Sequence, residues 1–191
     1  MNKNRLFFII FSISLLLFLL LFSYKTTLFF TDLTEEQDNT IQYLQNKEEL
    51  QLNYTSEELS HLQDVKKVMR KADYVFYVLL LLATISLTHH KKNKEQLQKL
   101  FKYGGITTLS FVGVLFLISI ISFTTSFTFF HQLFFPQGNW QFAADSLLIQ
   151  TFPISFFIQA AFIIFIQTLF YGSMMIFLSR IVFLSKRTFL K

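Results

Sequence analysis

Four long apolar runs, at about residues 6–22, 72–88, 106–130 and 154–178, alternate with polar stretches along the chain. A helix crosses the hydrocarbon core of a bilayer with roughly 20 residues, and about 17 are tolerated. Each run is therefore read as a membrane span. Tyr24, Tyr74 and Tyr77 flank the two shorter runs as interfacial residues. The first run follows a basic N-terminal segment, as a signal peptide does. It is longer than a usual signal core, however, and Ser23-Tyr24-Lys25-Thr26 offers no pair of small residues for cleavage. The pattern thus predicts an all-α integral membrane protein, a single polytopic domain over 1–191 with four transmembrane helices.

The first polar stretch, about 23–71, is too long to lack structure of its own. Thr34-Glu35-Glu36-Gln37 and Thr55-Ser56-Glu57-Glu58 both fit the capping box, in which each end satisfies a free N–H of the other. The first opens a weak helix carrying Ile41 and Leu44. The second opens a stronger one, about 56–71, that runs on into the second span. On it Leu59, Leu62, Val65, Val68 and Met69 form an apolar stripe at helical spacing. Such a stripe with charged margins is expected at a membrane interface. The other long connection, about 131–153, carries a turn at Pro136–Gly138 and a short helix from Ser146 that Asp145 is placed to cap.

Charge orients the spans. Eleven of the seventeen basic residues precede the first span, fill the connection at about 89–105, or follow the fourth span. Lys/Arg excess marks the cytoplasmic side. Both termini are expected inside, and the stretches 23–71 and 131–153 outside, the first as a helical extracytoplasmic cap. The net charge of +5 is explained by this topology and calls for no nucleic-acid partner. The 27 phenylalanines read as lipid-facing bulk. The absence of cysteine excludes disulfides, thiolate nucleophiles and Cys-based metal sites.

Each outer stretch carries one histidine. His61 and Asp64, at i and i+3 on one helix, are close enough to hydrogen-bond, with Glu58 and Lys66 on the same helix, while Lys66, Lys67, Arg70 and Lys71 suit interface anchors. His131 stands at the mouth of the third span, ahead of Asn139 and Trp140. His89 and His90 lie at the inner end of the second span, about 100° apart on a helix, and are set aside as interfacial.

The stretch Glu57-Glu58-Leu59-Ser60-His61-Leu62-Gln63-Asp64-Val65-Lys66 resembles one signature of the bacterial lipoprotein intramolecular transacylases. The other signature is similar to Phe130-His131-Gln132-Leu133-Phe134-Phe135-Pro136-Gln137-Gly138-Asn139-Trp140, followed by Asp145 and Pro153. The four-span layout agrees. The family carries a longer, more polar stretch where this chain has Gln141-Phe142-Ala143-Ala144. The resemblance implies an acyltransferase of the bacterial cytoplasmic membrane, active on its extracytoplasmic side. Its substrate would be a diacylated lipoprotein, with membrane lipid as surroundings and no cofactor. The sn-2 acyl chain of the diacylglyceryl group would move to the α-amine of the N-terminal cysteine, giving an N-acyl, S-monoacylglyceryl (lyso-form) lipoprotein. His61 and His131 would be catalytic, supported by Asp64, Glu58, Lys66, Asn139, Trp140 and Asp145.

The residues suit that reaction. Ester-to-amide transfer is downhill, and donor and acceptor share one molecule, so orientation does much of the work. The amine needs a proton acceptor near neutrality, which histidine supplies. His131 is expected to take the amine proton. His61, oriented by Asp64, would hydrogen-bond the carbonyl oxygen or share the shuttle, with Lys66 near the oxyanion; the sequence fits either histidine as the base, and fits a covalent acyl-histidine step as well. Two other readings stand beside it: an outer-face zinc site of Glu57, His61, Asp64 and His131, which lacks any His-Glu-x-x-His, and a non-enzymatic membrane scaffold.

Overall fold

A computed structural model describes residues 3–188, with side chains over 5–184. Seven helices follow one another: α1 (Lys3–Phe30), α2 (Glu35–Leu44), α3 (Ser56–His90), α4 (Lys94–Ile121), α5 (Phe123–Phe134), α6 (Leu147–Thr151) and α7 (Ile154–Thr188). There is no strand among the described residues. Four helices are long and apolar enough to cross a membrane: Arg5–Phe30, Ser56–His90, Lys94–Ile121 and Ile154–Leu184. Seven charged residues fill positions 57–71 of α3, from Glu57 to Lys71. That density is foreign to hydrocarbon, so only the part of α3 beyond it suits the bilayer interior. Of the basic residues that orient the spans, the side chains of Lys3, Lys186, Arg187 and Lys191 lie outside the described residues.

The chain packs as two compact units. One comprises Met1–Thr27, Val75–Leu117 and Phe162–Lys191. Its buried cluster is Phe11, Leu15, Leu19 and Leu100. Polar side chains tie α1 to α7 within it: the Thr168 hydroxyl donates to Ser23 Oγ at 2.9 Å, and Thr26 donates to Gln167 Oε1 at 2.7 Å. A hydroxyl or amide in a span is best satisfied by a neighbouring helix. α4 and α7 meet through small residues. A Cβ at Gly105 would stand 2.7 Å from the carbonyl oxygen of Gly172.

The other unit comprises Leu28–Tyr74 and Ile118–Ala161. Its core gathers Ile41, Leu44, Tyr54, Leu62, Leu148 and Phe152, with Leu59, Val65 and Met69 packed against them. The apolar stripe of α3 thus turns toward α2 and α6 and builds a protein core, where an interfacial surface was expected. Both capping boxes form. Thr34 accepts from Gln37 N and Gln37 reaches back to Thr34 N. Thr55 Oγ1 accepts from Glu58 N at 3.3 Å while Glu58 Oε2 accepts from Thr55 N at 2.8 Å.

The expected third span, 106–130, is broken at Ser122. There the backbone turns extended, and the serine side chain accepts from Thr125 N as the N-cap of α5. Ser122, Thr124 and Thr125 compete for backbone groups as short hydroxyl residues do, and the chain restarts as a separate helix. α6 also begins differently from expectation: Ser146 is its N-cap, and Asp145 is exposed beside it.

Candidate active site

α5 places His131 in its last turn. Its Nδ1 lies 2.8 Å from the carbonyl oxygen of Phe127, one turn earlier. A carbonyl only accepts, so Nδ1 carries the proton and donates it. Nε2 is then a lone pair. The ring is 8% exposed and enclosed by aromatics, with ring centres 4.0 Å away at Phe127, 4.9 Å at Trp140 and 5.6 Å at Phe130 and Phe135. Burial holds its pKa below the usual histidine value, and the bond to Phe127 opposes that shift.

α3 brings His61 to the same place. The two imidazole centres are 6.3 Å apart and their planes are 25° from parallel. Phe135 meets His61 edge-on at 4.8 Å, and Phe142 lies at 5.7 Å. Burial pushes the His61 pKa down to about 4, aided by the neighbouring His131 and opposed by Asp64 and the Asn139 amide. Both rings are therefore neutral at physiological pH.

A layer of polar side chains backs His61. Phe135 O accepts from Gly138 N at 3.1 Å, closing the turn at Pro136 and Gln137; Gly138 takes φ +81°, a conformation natural to glycine. The turn presents Gln137 and Asn139 to α3. Gln137 Nε2 donates to Asp64 Oδ2 at 2.8 Å and Asn139 Nδ2 donates to the same oxygen at 2.9 Å. Asn139 Nδ2 also lies 3.4 Å from Ser60 Oγ. Lys67 takes the other Asp64 oxygen at 2.9 Å. These donors, Lys67 first, hold Asp64 below the usual carboxylate range. No hydrogen bond joins Asp64 to His61, whose Nδ1 is buried without a partner. The carboxylate faces the turn instead.

Glu58, 1% exposed, is a clamp. Its Oε1 accepts from Leu148 N, at the start of α6, at 2.8 Å, and its Oε2 accepts from the Thr55 backbone and hydroxyl at 2.8 and 2.9 Å. Burial alone would raise its pKa, but these donors bring it below the ordinary value. The Lys66 ammonium sits over the Tyr43 ring at 3.8 Å. Five residues after His61 it leaves the helix about 140° around, on another face. Asp145 is exposed and Glu57 is exposed. The structure therefore gathers His61, His131, Asp64, Asn139 and Trp140, gives Glu58 a supporting place, and leaves Lys66 and Asp145 aside. Among the described residues no three His, Asp or Glu side chains stand together as metal ligands, which removes the geometry a zinc site requires. Gln137 and the Phe127 carbonyl were not foreseen. Gln137 lies within the second motif and was legible there as a turn residue only.

The model of a protein family described as lipoprotein intramolecular transacylase Lit matches residues 30–157. That stretch is about two thirds of the chain and holds both histidine motifs. The chain belongs to the Lit family. It is an acyltransferase family of integral membrane proteins, and the all-helical architecture agrees. The in meso structure of Lit from Bacillus cereus is 25% identical, with a TM-score of 0.85 over 97% of this chain and 98% of that one. Two variants of that Lit are similar in fold at 24% identity. One, with a histidine replaced by arginine, has a TM-score of 0.78 over 97% and 94% of the two chains. The other, with a histidine replaced by alanine, has 0.79 over 97% and 96%. Among curated proteins none matches this chain by sequence.

Proposed function

We propose that this Lit-family protein moves the sn-2 acyl chain of a diacylated lipoprotein to the α-amine of its N-terminal cysteine, with His61 and His131 handling the proton. The amine nitrogen attacks the ester carbonyl carbon and the N–C bond forms. The bond from that carbon to the sn-2 oxygen breaks. The proton leaves the amine for an imidazole and passes from it to the departing oxygen. Nothing is consumed, so no carrier or cofactor is required.

The observation that carries this reading is the state of His131. Its Nδ1 proton is committed to Phe127 O, which leaves Nε2 as a base beside a second imidazole 6.3 Å away. General-base help is worth roughly 10²- to 10⁴-fold. The surrounding Phe127, Phe130, Phe135, Phe142 and Trp140 suit acyl chains and keep water away from the reacting ester. The distribution of lysine and arginine supports a site on the extracytoplasmic face of a bacterial cytoplasmic membrane.

The test is expression in a host whose lipoproteins are only diacylated, followed by mass spectrometry of their N-terminal peptides. One acyl chain should move from glycerol to the cysteine nitrogen at unchanged total mass. His61→Ala and His131→Ala should each abolish the shift while the protein still inserts. A normal shift in both variants would sink the proposal.

A further inference from the structure

We infer that Asp64, acting through the Asn139 amide, fixes His61 in the tautomer protonated on Nδ1, so that His61 offers Nε2 to the reaction as a lone pair. The inference rests on the two histidines being the proton-handling pair, and it assigns Asp64 and Asn139 as positioning residues.

An asparagine amide has a donor end and an acceptor end. Asp64 is an ionised carboxylate and can only accept, so the Nδ2 end must face it, as the 2.9 Å bond requires. Ser60 and Asp64, the two residues that meet Nδ2, are positions −1 and +3 relative to His61. The amide therefore lies across the turn of α3 that carries the ring. Its other end, Oδ1, is buried with no partner, and so is His61 Nδ1. A buried polar atom left unpaired is destabilising, and here there are two. They are complementary only one way: an amide oxygen accepts, so the ring nitrogen paired with it must carry the hydrogen. No hydrogen bond joins the two atoms as they stand, but the amide is held against the turn of α3 that carries the ring, and it favours the charged form of the imidazole.

The relay changes the role of His61. A neutral ring protonated on Nδ1 has no hydrogen on Nε2 to give to the ester carbonyl. It is a second acceptor beside His131, whose Nδ1 is committed in the same way. Either Nε2 can take the amine proton. The sn-2 oxygen then receives that same proton, and the oxyanion must meet a ring already charged in the course of the reaction. Gln137 also donates to Asp64 Oδ2, but it has no hydrogen bond to Asn139 or to His61, so its loss leaves the link from carboxylate to amide in place.

The full chain, labelled with ¹⁵N-histidine and held in lipid nanodiscs, provides the test by nitrogen NMR at neutral pH. His61→Ala assigns the signal. In the unaltered protein and in Gln137→Ala, His61 should show a protonated Nδ1 and a bare Nε2. Asn139→Ala and Asp64→Ala should lose that bias and slow acyl transfer at least about tenfold, less than removal of the base itself. The double variant Asp64→Ala/Asn139→Asp returns an acceptor to the ring and should restore the Nδ1–H signal, which a merely structural loss would not do. A bare Nδ1 in the unaltered protein, or an Nδ1–H signal indifferent to Asn139→Ala, overturns the relay. Normal acyl transfer in both His61→Ala and His131→Ala would overturn the proposed function instead, whatever tautomer is seen.

Discussion

At the scale of single residues, the two imidazoles differ in how each is held, and that difference has measurable consequences. Both have pKa values below the ordinary 6.5, His61 near 4. The unfolded chain therefore binds more protons than the folded one as pH falls below 6.5. Stability should decline on acidification from 6.5 toward 4, which thermal unfolding at pH 5 and pH 7.5 would reveal. Activity should follow a different group. A free α-amine such as the substrate's ordinarily titrates at about 7.7–8.0, so the rate should rise from pH 6 to about pH 8 and then level. An acid limb centred at 6.5 would contradict the buried, neutral rings. Both histidines were legible in the sequence because each stands in a polar island between greasy runs. The partner of Asp64 was not. The i,i+3 spacing brings Asp64 and His61 near each other, but three donors from Lys67, Gln137 and Asn139 claim the carboxylate first. Two of those donors come from a turn more than 70 residues later, and no local spacing reveals them.

Helices and their ends explain why the site holds its shape. Glu58 joins the first turn of α3 to the first turn of α6 by one backbone bond at 2.8 Å. Glu58→Ala would leave the buried N–H of Leu148 unpaired, at about 1–3 kcal/mol, and would take from the Thr55 N–H its acceptor. The expected result is a lower melting temperature and faster proteolysis after Tyr54, with acyl transfer falling as folded protein is lost. An unchanged melting temperature would show that the clamp contributes nothing. Both capping boxes were legible, since Thr-x-x-Gln and Thr-x-x-Glu state the geometry outright. The break between α4 and α5 was not. Residues 106–130 read as one apolar run because hydropathy averages over Ser122, Thr124 and Thr125. The single hydroxyl that caps α5 decides the matter.

For the molecule as a whole, charge is the feature open to direct trial. The chain has no cysteine, so Glu48→Cys and Lys92→Cys each introduce a unique thiol. A membrane-impermeant maleimide applied to intact cells should label the first and spare the second until the membrane is opened. The reverse pattern would invert the orientation and put the histidine pair on the cytoplasmic side. The number of spans was plain from hydropathy, because roughly 20 apolar residues leave few alternatives. The partition into two packed units was hidden, since it depends on which side chains of α3 turn inward. The bond between Glu58 and Leu148 links positions 90 residues apart, and Gln37 likewise reaches the carbonyl of Thr151. A nascent chain still on the ribosome therefore exposes His61 long before its counterpart exists. Under the proposed function, a copy whose translation has not passed residue 151 should therefore have no transacylase activity.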